Sequence, residues 1–405
     1  MLQKPKQVLN KIGIYIHWPY CQSKCPYCDF NSYITPNQVN SKHWLQAYIK
    51  QLQHFINHIN TNNYQLESIF FGGGTPSLMN PEIINELITF CTTNIKPSPS
   101  LEISLESNPS SVETEKFTKL KKAGINRISI GVQSLDDKQL KWLGRTHNAH
   151  EAKNAILEAK AIFKNYSFDL IYSLKSQTPK TWEEELTRAL YLAGNHLSLY
   201  SLTIEKETKF GDMFDKGKLK IPDQQTSDAI YDVTQKIMQD NNFKRYEVSN
   251  YTKNNKQCKH NMLYWNNNDF IGIGPNAAGR FFNKNNIRIA TKCTINPKKW
   301  LQEVMLNNKN NNINNINLGC TSEQLSKEEQ IKEILLMGTR VVTGINVNDI
   351  KKRFSINLLT EPLYRTAKLL ELNGLLKLSK QAIIPTPEGM NYSSGIVRLL
   401  CANNT

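Results

Sequence analysis

The chain has 405 residues, of which 39% are hydrophobic and 21% are charged. This composition suits a globular protein with a sizeable core, and it excludes a mainly disordered chain, a collagen-like fibre and a small disulfide-stapled scaffold. Lysine and arginine outnumber aspartate and glutamate by 50 to 35, so the formal net charge is +15. A basic surface favours anionic partners such as nucleic acid, acidic lipid or a carboxylate-rich small molecule, but charge alone does not choose among them.

The amino terminus is basic and lacks the apolar segment of a secretory signal. No apolar run approaches the ~18 residues that a membrane-spanning helix requires. The eight cysteines lack the regular spacing of a disulfide framework. These features predict a reduced, cytoplasmic protein, and they leave contact with a membrane surface open.

The first half of the chain alternates short apolar runs with amphipathic stretches. The predicted strands are 13–16, 68–71, 101–105, 127–131, 167–171 and 197–202, and the predicted helices are 44–59, 81–92, 111–123, 150–163 and 181–192. This alternation indicates parallel βαβ units, which right-handed crossovers curl into a partial barrel or an open sheet. The loops after the strands then lie at the carboxyl edge, where barrel enzymes place their chemistry.

The alternation ends near residue 206, after which a helix is predicted at 223–240. Eight of the eleven residues from 307 to 317 are asparagine, a composition typical of a linker. The last part predicts a small winged-helix-like unit, with helices at 327–338, 347–354, 359–373 and from 387, and strands at 374–378 and 382–385. The predicted divisions are a tail (1–10), a barrel (11–205), an α+β region (206–305), a linker (306–322) and the winged-helix-like unit (323–405). A winged-helix shape does not by itself imply DNA binding.

Three cysteines, Cys21, Cys25 and Cys28, follow the first strand with the spacing C-x3-C-x2-C. A structural zinc site normally needs four ligands, and no fourth candidate lies nearby in the sequence. Iron–sulfur clusters are held by cysteine thiolates, one to each iron. Three cysteines on a four-iron cluster would leave one iron open to a non-protein ligand. The alternative is a set of buried cysteines without a ligand.

Other polar or flexible segments also follow predicted strands. The run 71–76, Phe-Gly-Gly-Gly-Thr-Pro, allows a close approach of backbone to a ligand, although a glycine run is more often a turn. Glu106 ends another strand, where it would accept a hydrogen bond from an ammonium or a ribose hydroxyl, or remain a solvated acid. Gln133, Arg145 and Asp169, taken singly, are typical of surface or capping residues.

The cysteine spacing, with the aromatic Tyr27 before the third cysteine, resembles the signature of the radical SAM superfamily. The resemblance implies a partial (β/α)6 barrel in which Cys21, Cys25 and Cys28 hold a [4Fe-4S] cluster. It also implies that S-adenosylmethionine (SAM) chelates the open iron, and that one electron from the cluster breaks its sulfonium bond. The chemistry belongs to the cluster and SAM, while the protein positions them and excludes water.

From residue 15 to about 269, and more loosely to the carboxyl terminus, the chain resembles oxygen-independent coproporphyrinogen III oxidase and its relatives. The SAM-contacting residues that this resemblance implies are Tyr15, Tyr27, Gly73, Gly74, Thr75, Glu106, Gln133, Arg145 and Asp169. Arg145 would complement the SAM carboxylate, and Asp169 or Glu106 its hydroxyls. Relatives continue after the aspartate with Gly-Leu-Pro-Gly, whereas residues 173–176 here read Ser-Leu-Lys-Ser.

Two features favour the haem chaperone branch over the oxidase. Phe30 stands where the oxidase has a further cysteine, and only twenty residues precede Cys21, fewer than the oxidase's amino-terminal extension. The segment 260–265, His-Asn-Met-Leu-Tyr-Trp, resembles that branch's HNxxYW haem motif, which implies that His260 ligates haem iron. Met262 and Cys258 are candidates for a second ligand, and the basic charge suits haem propionates.

The sequence therefore predicts a protein that holds a [4Fe-4S] cluster, SAM and haem, and that delivers haem to haem-requiring proteins, membrane-bound ones among them. An electron donor for the cluster is the other expected partner. The alternative is an oxidase that converts coproporphyrinogen III anaerobically. A third hypothesis, modification of RNA, lacks an extra cysteine cluster or an RNA-binding module. The sequence assigns neither a catalytic residue nor an oligomeric state.

Overall fold

The computed structural model describes residues 9–306 and 318–402, so most of the predicted tail and linker lies outside the described residues. The strands are β1 (Asn10–Trp18), β2 (Tyr20–Cys21), β3 (Tyr33–Ile34), β4 (Tyr64–Gly73), β5 (Pro97–Ser107), β6 (Arg127–Gln133), β7 (Asn165–Tyr172), β8 (His196–Ser201), β9 (Lys244–Arg245), β10 (Asn250–Thr252), β11 (Asp269–Ile273), β12 (Ala278–Phe282), β13 (Arg288–Cys293), β14 (Cys320–Gln324), β15 (Ile345–Asn346), β16 (Leu376–Leu378) and β17 (Ala382–Pro385).

The α-helices surround and connect these strands. They are α1 (Ser41–His58), α2 (Pro81–Asn94), α3 (Ser111–Thr114), α4 (Phe117–Lys122), α5 (Asp137–Trp142), α6 (Ala149–Ile162), α7 (Pro179–Leu192), α8 (Lys209–Asp215), α9 (Gln224–Asp240), α10 (Lys259–Trp265), α11 (Pro297–Leu306), α12 (Lys327–Gly338), α13 (Val347–Phe354), α14 (Leu363–Leu372), α15 (Pro387–Asn391) and α16 (Ser393–Ala402). The predicted helix 111–123 is wrong in one respect, because it is divided into α3 and α4.

Six parallel strands form the centre of one twelve-stranded sheet, in the order β1-β4-β5-β6-β7-β8. This arrangement confirms the predicted partial barrel. Strand β11 pairs parallel to β1, and β12, β13 and β14 continue the sheet antiparallel. At the other side β10 pairs antiparallel to β8, and β9 pairs antiparallel to β10. The sequence did not predict these extensions, because their strands are short and are separated by polar segments.

Alternation along β1 decides which side chains enter the barrel. Ile12, Ile14 and Ile16 are fully buried against the surrounding helices. Since neighbouring side chains of a strand point to opposite faces, Tyr15 and His17 face the other side. The same alternation places polar residues of the neighbouring strands inside the barrel. The apolar runs therefore build the outer core while the barrel interior stays polar.

A buried ion pair joins the added strands to one another. Arg288 of β13 donates to the carboxylate of Asp269 in β11, and both side chains are about 5% exposed or less. Tyr64 of β4 donates to the same carboxylate, as does the backbone N–H of Phe282 at 3.1 Å. The carboxylate thus satisfies donors from three strands, which links the extension to the barrel.

The carboxyl-terminal unit has its own apolar core. A three-stranded sheet, β15-β17-β16, packs with helices α12 to α16 around residues such as Leu335, Ile350 and Leu370. This confirms the predicted winged-helix-like arrangement. Arg353 of α13 donates to backbone carbonyls of Asn266 and Asn267, so this unit contacts the end of α10. The exact divisions between domains stay a prediction.

We expect Asp269→Ala to lower the free energy of unfolding by about 3–5 kcal/mol, because it leaves the Arg288 charge buried without its partner. Lys299→Ala is the matched control, since it removes an exposed i,i+4 ion pair with Glu303, and its cost should lie at about 0–1 kcal/mol. Urea unfolding of both variants measures the difference. Equal losses in the two variants would contradict the assigned role of the buried pair.

Candidate functional site

Cys21 ends β2, and Cys25 and Cys28 lie on the loop between β2 and β3, at the carboxyl edge of the barrel strands. All three thiols are free and partly exposed. Thr75 donates to the sulfur of Cys21 at 3.3 Å, and Arg145 donates to that of Cys25 at 3.5 Å. Hydrogen bonds to sulfur favour the thiolate, which is the form that binds metal. Burial raises the pKa of Cys21 and Cys28, so a metal would have to displace their protons.

Three free thiols on one segment are the kind of donor that an iron–sulfur cluster takes. Among the described residues, no three His, Cys, Asp or Glu side chains converge closely enough to hold a single metal ion. In an iron–sulfur cluster each cysteine binds a different iron, so the sulfurs lie farther apart than in a zinc site. The donor set therefore fits an iron–sulfur cluster with three cysteine ligands.

A cavity of about 390 Å³ opens beside these cysteines. Its lining includes eight of the nine predicted SAM residues, namely Tyr27, Gly73, Gly74, Thr75, Glu106, Gln133, Arg145 and Asp169. They come from six different segments that the parallel sheet brings to one edge. Tyr15 is not among the lining residues. Its hydroxyl contacts Nδ1 of His17 at 3.0 Å instead.

Neighbouring parts of the protein lie so close to the glycine run that Gly73 and Gly74 have no room for a side chain. Gly73 has φ of +110°, and a Cβ built there would lie 2.5 Å from the His17 ring. A Cβ on Gly74 would lie 2.7 Å from the carbonyl oxygen of Tyr20. The N–H groups of Gly73 and Gly74 donate to Glu106 and Trp18. Both N–H groups therefore already have acceptors within the protein.

Two carboxyl groups share the interior of the cavity. Burial and, to a smaller extent, the nearby Asp169 together raise the pKa of Glu106 to about 8. Burial also raises the pKa of Asp169, although Ser129 donates to its carboxylate at 3.3 Å. A cation placed beside such carboxyl groups would restore their ionised forms. The site therefore fits a ligand that carries positive charge, as the ammonium and sulfonium groups of SAM do.

Arg145 supplies the opposite charge at the cysteine side of the cavity. It donates to Asn108 Oδ1 at 2.7 Å and to the carbonyl of Gly131 at 2.9 Å, besides the Cys25 sulfur. These bonds hold the guanidinium in one orientation. The cavity thus has carboxyl groups and a guanidinium in separate places, which matches a zwitterionic ligand. Sequence reasoning missed Asn108, which follows β5 directly.

Apolar and aromatic side chains line the cavity beyond the charged ones. They include Phe30, Ile171, Tyr200 and Leu202, which sequence reasoning did not assign. Ile171 and Tyr200 lie at the carboxyl ends of β7 and β8, so the topology of parallel barrels is the signal that predicts them. Phe30 is 58% exposed and forms part of the rim.

The loop after Asp169 keeps the backbone shape of a glycine-containing turn. Ser173 and Ser176 both have left-handed backbone, with φ of +59° and +57°. These are the positions where the family has glycine. Leu174 between them is fully buried with Phe210 and Leu219, and this packing holds the strained conformation.

His260 lies away from the cavity, in the first turn of α10. Its ring is 1% exposed and stacks on Phe70, with centroids 4.9 Å apart. Its Nδ1 contacts Ser68 Oγ at 2.6 Å, and its Nε2 contacts Tyr264 Oη at 2.7 Å. Burial and, to a smaller extent, the charge of Arg127 together lower its pKa to about 3. Both ring nitrogens are thus engaged, and a metal would have to displace one of these partners.

The two candidate second ligands differ in access. Cys258 is 1% exposed, and its thiol donates to Glu102 at 3.5 Å. The same carboxylate accepts the N–H groups of Lys259 and His260, so it caps α10. Met262 is partly exposed and lines a second, polar cavity of about 680 Å³. Of the two, Met262 is the accessible sulfur.

Two parts of the chain match known protein families. Residues 15–189 match the Radical SAM superfamily, and residues 325–392 match the HemN C-terminal domain. Coproporphyrinogen III oxidase (HemN) from Escherichia coli has the same fold, with a TM-score of 0.77 and 19% identity over 98% of this chain and 91% of that one. The chain is a radical SAM protein, a class whose members hold a [4Fe-4S] cluster and SAM.

Two curated relatives show which radical SAM proteins this chain is similar to over most of its length. The chain is 32% identical to "Heme chaperone HemW" of Buchnera aphidicola subsp. Acyrthosiphon pisum over 96% of its length and 98% of that protein. It is 35% identical to "Radical S-adenosyl methionine domain-containing protein 1, mitochondrial" of Dictyostelium discoideum, over 95% of this chain and 93% of that protein. The chain belongs to the radical SAM family that includes these two relatives. In the described ranges, no helix is both long and apolar enough to span a membrane.

The buried histidine of α10 predicts a pH-dependent stability. The unfolded chain takes up a proton at His260 below pH 6.5, whereas the folded chain does so only near pH 3. The neutral His260 ring therefore contributes its full stabilisation above pH 6.5. As the pH falls to 5, the free energy of unfolding decreases by about 2 kcal/mol. His260→Gln should remove that part of the pH dependence, as measured by urea unfolding at pH 5 and pH 7.

The matched control is His150→Gln, at an exposed position on α6. If the free energy of unfolding changed between pH 5 and pH 7 by the same amount in His260→Gln, the control and wild type, the imidazole of His260 would not be buried in its neutral form.

Proposed function

We propose that this chain binds haem and delivers it to haem-requiring proteins, with a cluster and SAM bound at the carboxyl edge of its barrel. The observation that carries the proposal is similarity over 98% of the length of a protein named as a heme chaperone. The cavity beside three free cysteines, with carboxyl groups and a guanidinium in its lining, supports the binding of a cluster and SAM. Cytoplasmic location, membrane-bound acceptors and a separate electron donor are parts of the proposal that rest on the sequence.

The three cysteines would hold the cluster, with Arg145 and Thr75 donating to two of the sulfurs. When bound, the cluster would supply one electron, and SAM would supply the sulfonium bond that this electron breaks. The chain itself provides charge and shape. Glu106 and Asp169 would face the positive groups of SAM, and Arg145 would face its carboxylate. Tyr27 closes the cavity beside Arg145.

SAM affinity should rise with pH, because Glu106 is mostly protonated at neutral pH until a cation sits beside it. From pH 6.0 to pH 7.5 the ionised fraction grows by about tenfold or more, and the association constant should follow. In Glu106→Gln the affinity should be weaker and this rise should disappear. Isothermal titration of the anaerobic, cluster-reconstituted protein with SAM measures both quantities.

Glu207→Gln is the matched control, since Glu207 is exposed and is not part of the cavity lining. The pH dependence common to this control and wild type includes the titration of SAM itself. If Glu106→Gln showed the same rise as the control, the carboxyl group would not face the ligand cation.

Haem ligation by His260 stays a prediction with a definite structural requirement. One of its two hydrogen bonds, to Ser68 or to Tyr264, must be released before a ring nitrogen reaches iron. Ser68→Ala removes one competing partner, so it should strengthen haem binding if His260 is the ligand. His260→Ala should weaken binding by about tenfold or more, because an axial ligand is lost.

Anaerobic haem titration followed by Soret absorbance tests these variants beside Met262→Ala. Weaker binding in His260→Ala, with stronger binding in Ser68→Ala, supports His260 as the ligand. If Met262→Ala alone weakens binding and shifts the Soret band, the accessible thioether is the ligand. Saturable binding that none of the variants changes would place haem elsewhere, and absence of saturable binding would overturn the proposed function.

The oxidase remains the alternative function, because the same fold carries that activity in the Escherichia coli protein. Phe30 distinguishes the two, since the oxidase pattern has a cysteine at this position. A likeness of 19% identity supports the fold alone. The relative named as a heme chaperone therefore favours the haem chaperone hypothesis over the oxidase.

A further inference from the structure

Two cysteines outside the cluster loop face each other across a pair of strands. Cys293 of β13 and Cys320 of β14 are direct partners in the antiparallel register. The N–H of Thr294 donates to Gly319, one position along, whereas the N–H of Cys293 donates to Ala277 on the opposite side. The cysteines thus form a non-hydrogen-bonded pair, the type in which opposed side chains lie closest.

This geometry is suited to a disulfide. In a non-hydrogen-bonded antiparallel pair the Cα atoms lie about 4.5 Å apart, and disulfides bridge Cα atoms about 4.4–6.8 Å apart. Both side chains project to the same face, because directly opposed residues do so. The thiol of Cys293 forms a hydrogen bond with the thiol of Cys320. The sulfurs are therefore already neighbours in the reduced protein.

Neighbouring polar groups hold the Cys293 side of the pair in place. The thiols are nearly buried, at 2% and 7% exposed for Cys293 and Cys320. The Gln51 amide donates to the Cys293 sulfur at 3.5 Å, and that thiol also approaches the carbonyl of Gly272 at 3.8 Å. Cys91 and Cys258 are buried on other elements, α2 and the turn before α10. Neither belongs to this strand pair.

Access to the pair comes from the edge of the sheet. Strand β14 is the terminal strand of the twelve-stranded sheet and has only five residues. Edge strands open locally at a lower free energy than central strands do, because they have a neighbour on one side only. Opening of β14 would expose Cys320 without unfolding the barrel.

We propose that Cys293 and Cys320 form a reversible disulfide, which makes this strand pair a redox-sensitive modification site. With glutathione disulfide as the oxidant, one cysteine thiolate attacks a glutathione sulfur and releases glutathione. The second thiolate then attacks the mixed disulfide, forms the Cys293–Cys320 bond and releases a second glutathione. Two thiols are oxidised by two electrons, and one glutathione disulfide is reduced to two glutathione molecules.

The position of the pair indicates what its oxidation would do. The bond would fasten the first residue of β14 to the last residue of β13, and β14 leads at its other end into the carboxyl-terminal unit. Two residues after Cys293, the carbonyl of Ile295 accepts a hydrogen bond from Asn31 at 3.0 Å. Asn31 lies three residues after Cys28 on the cluster loop. Oxidation would thus restrict a strand end that contacts this loop.

The test uses the full, cluster-reconstituted chain in anaerobic glutathione buffers of increasing disulfide fraction. Free thiols are then blocked with N-ethylmaleimide, and tryptic peptides are analysed by mass spectrometry without reduction. Formation of the disulfide joins peptide 293–298 to peptide 310–327, and the linked species should rise with the disulfide fraction and disappear after dithiothreitol. Amide exchange over 318–324 should become at least about tenfold slower in the oxidised protein.

Cys293→Ala and Cys320→Ala should each abolish the linked peptide, whereas Cys91→Ala should retain it. The wild-type measurement decides the matter even if a variant fails to fold. Only mixed glutathione adducts, or free thiols at both positions in the most oxidising buffer, would overturn the proposal. Neither outcome depends on haem binding, so failure here is distinguishable from failure of the proposed function.

Discussion

The contact between the end of β1 and the glycine run is the constraint on which the candidate site depends. The His17 ring occupies the space that a side chain at position 73 would need. Its Nδ1 contacts the Tyr15 hydroxyl, and its Nε2 contacts the carbonyl of Asn31 on the cluster loop. Burial lowers the pKa of His17 to about 4, so the ring is neutral at physiological pH. One neutral imidazole thus joins the strand, the glycine run and the loop that carries the cysteines.

Charge is distributed to complement a zwitterion that the cavity would enclose. The carboxyl groups of Glu106 and Asp169 lie deep, where burial disfavours their ionised forms, and Arg145 lies beside the cysteines. Without a cation the ionised forms of the two carboxyl groups repel one another, and binding of a cation offsets that repulsion. Preorganised groups of this kind hold a ligand in one orientation. They also couple its affinity to pH.

The sequence predicts those features that depend on local pattern. The cysteine spacing, the strand–helix alternation and the helices of the carboxyl-terminal unit are local, and the six barrel strands are confirmed. The added strands β11 to β14 depend on pairing between distant segments, and no short-range periodicity reveals them. The roles of Ser173 and Ser176 likewise follow from backbone φ values, which the sequence Ser-Leu-Lys-Ser does not disclose.

His260 shows the same limit at a single residue. The motif HNxxYW identifies the position, but the partners Ser68 and Phe70 come from β4, almost two hundred residues earlier. The hydrogen bond to Ser68 therefore could not be predicted from spacing, whereas Tyr264 lies four residues further along the same helix. Whether this histidine binds iron depends on the free energy of releasing one bond, which the haem variants measure.

The central claim is that the chain hands haem to another protein directly. The most direct measurement mixes the haem-loaded, cluster-reconstituted protein anaerobically with increasing amounts of an apoprotein of a b-type cytochrome and follows the acceptor's Soret band by stopped flow. Direct transfer predicts a rate that increases with acceptor concentration, because a complex must form first. A rate that stays constant and equals spontaneous haem dissociation would contradict the claim.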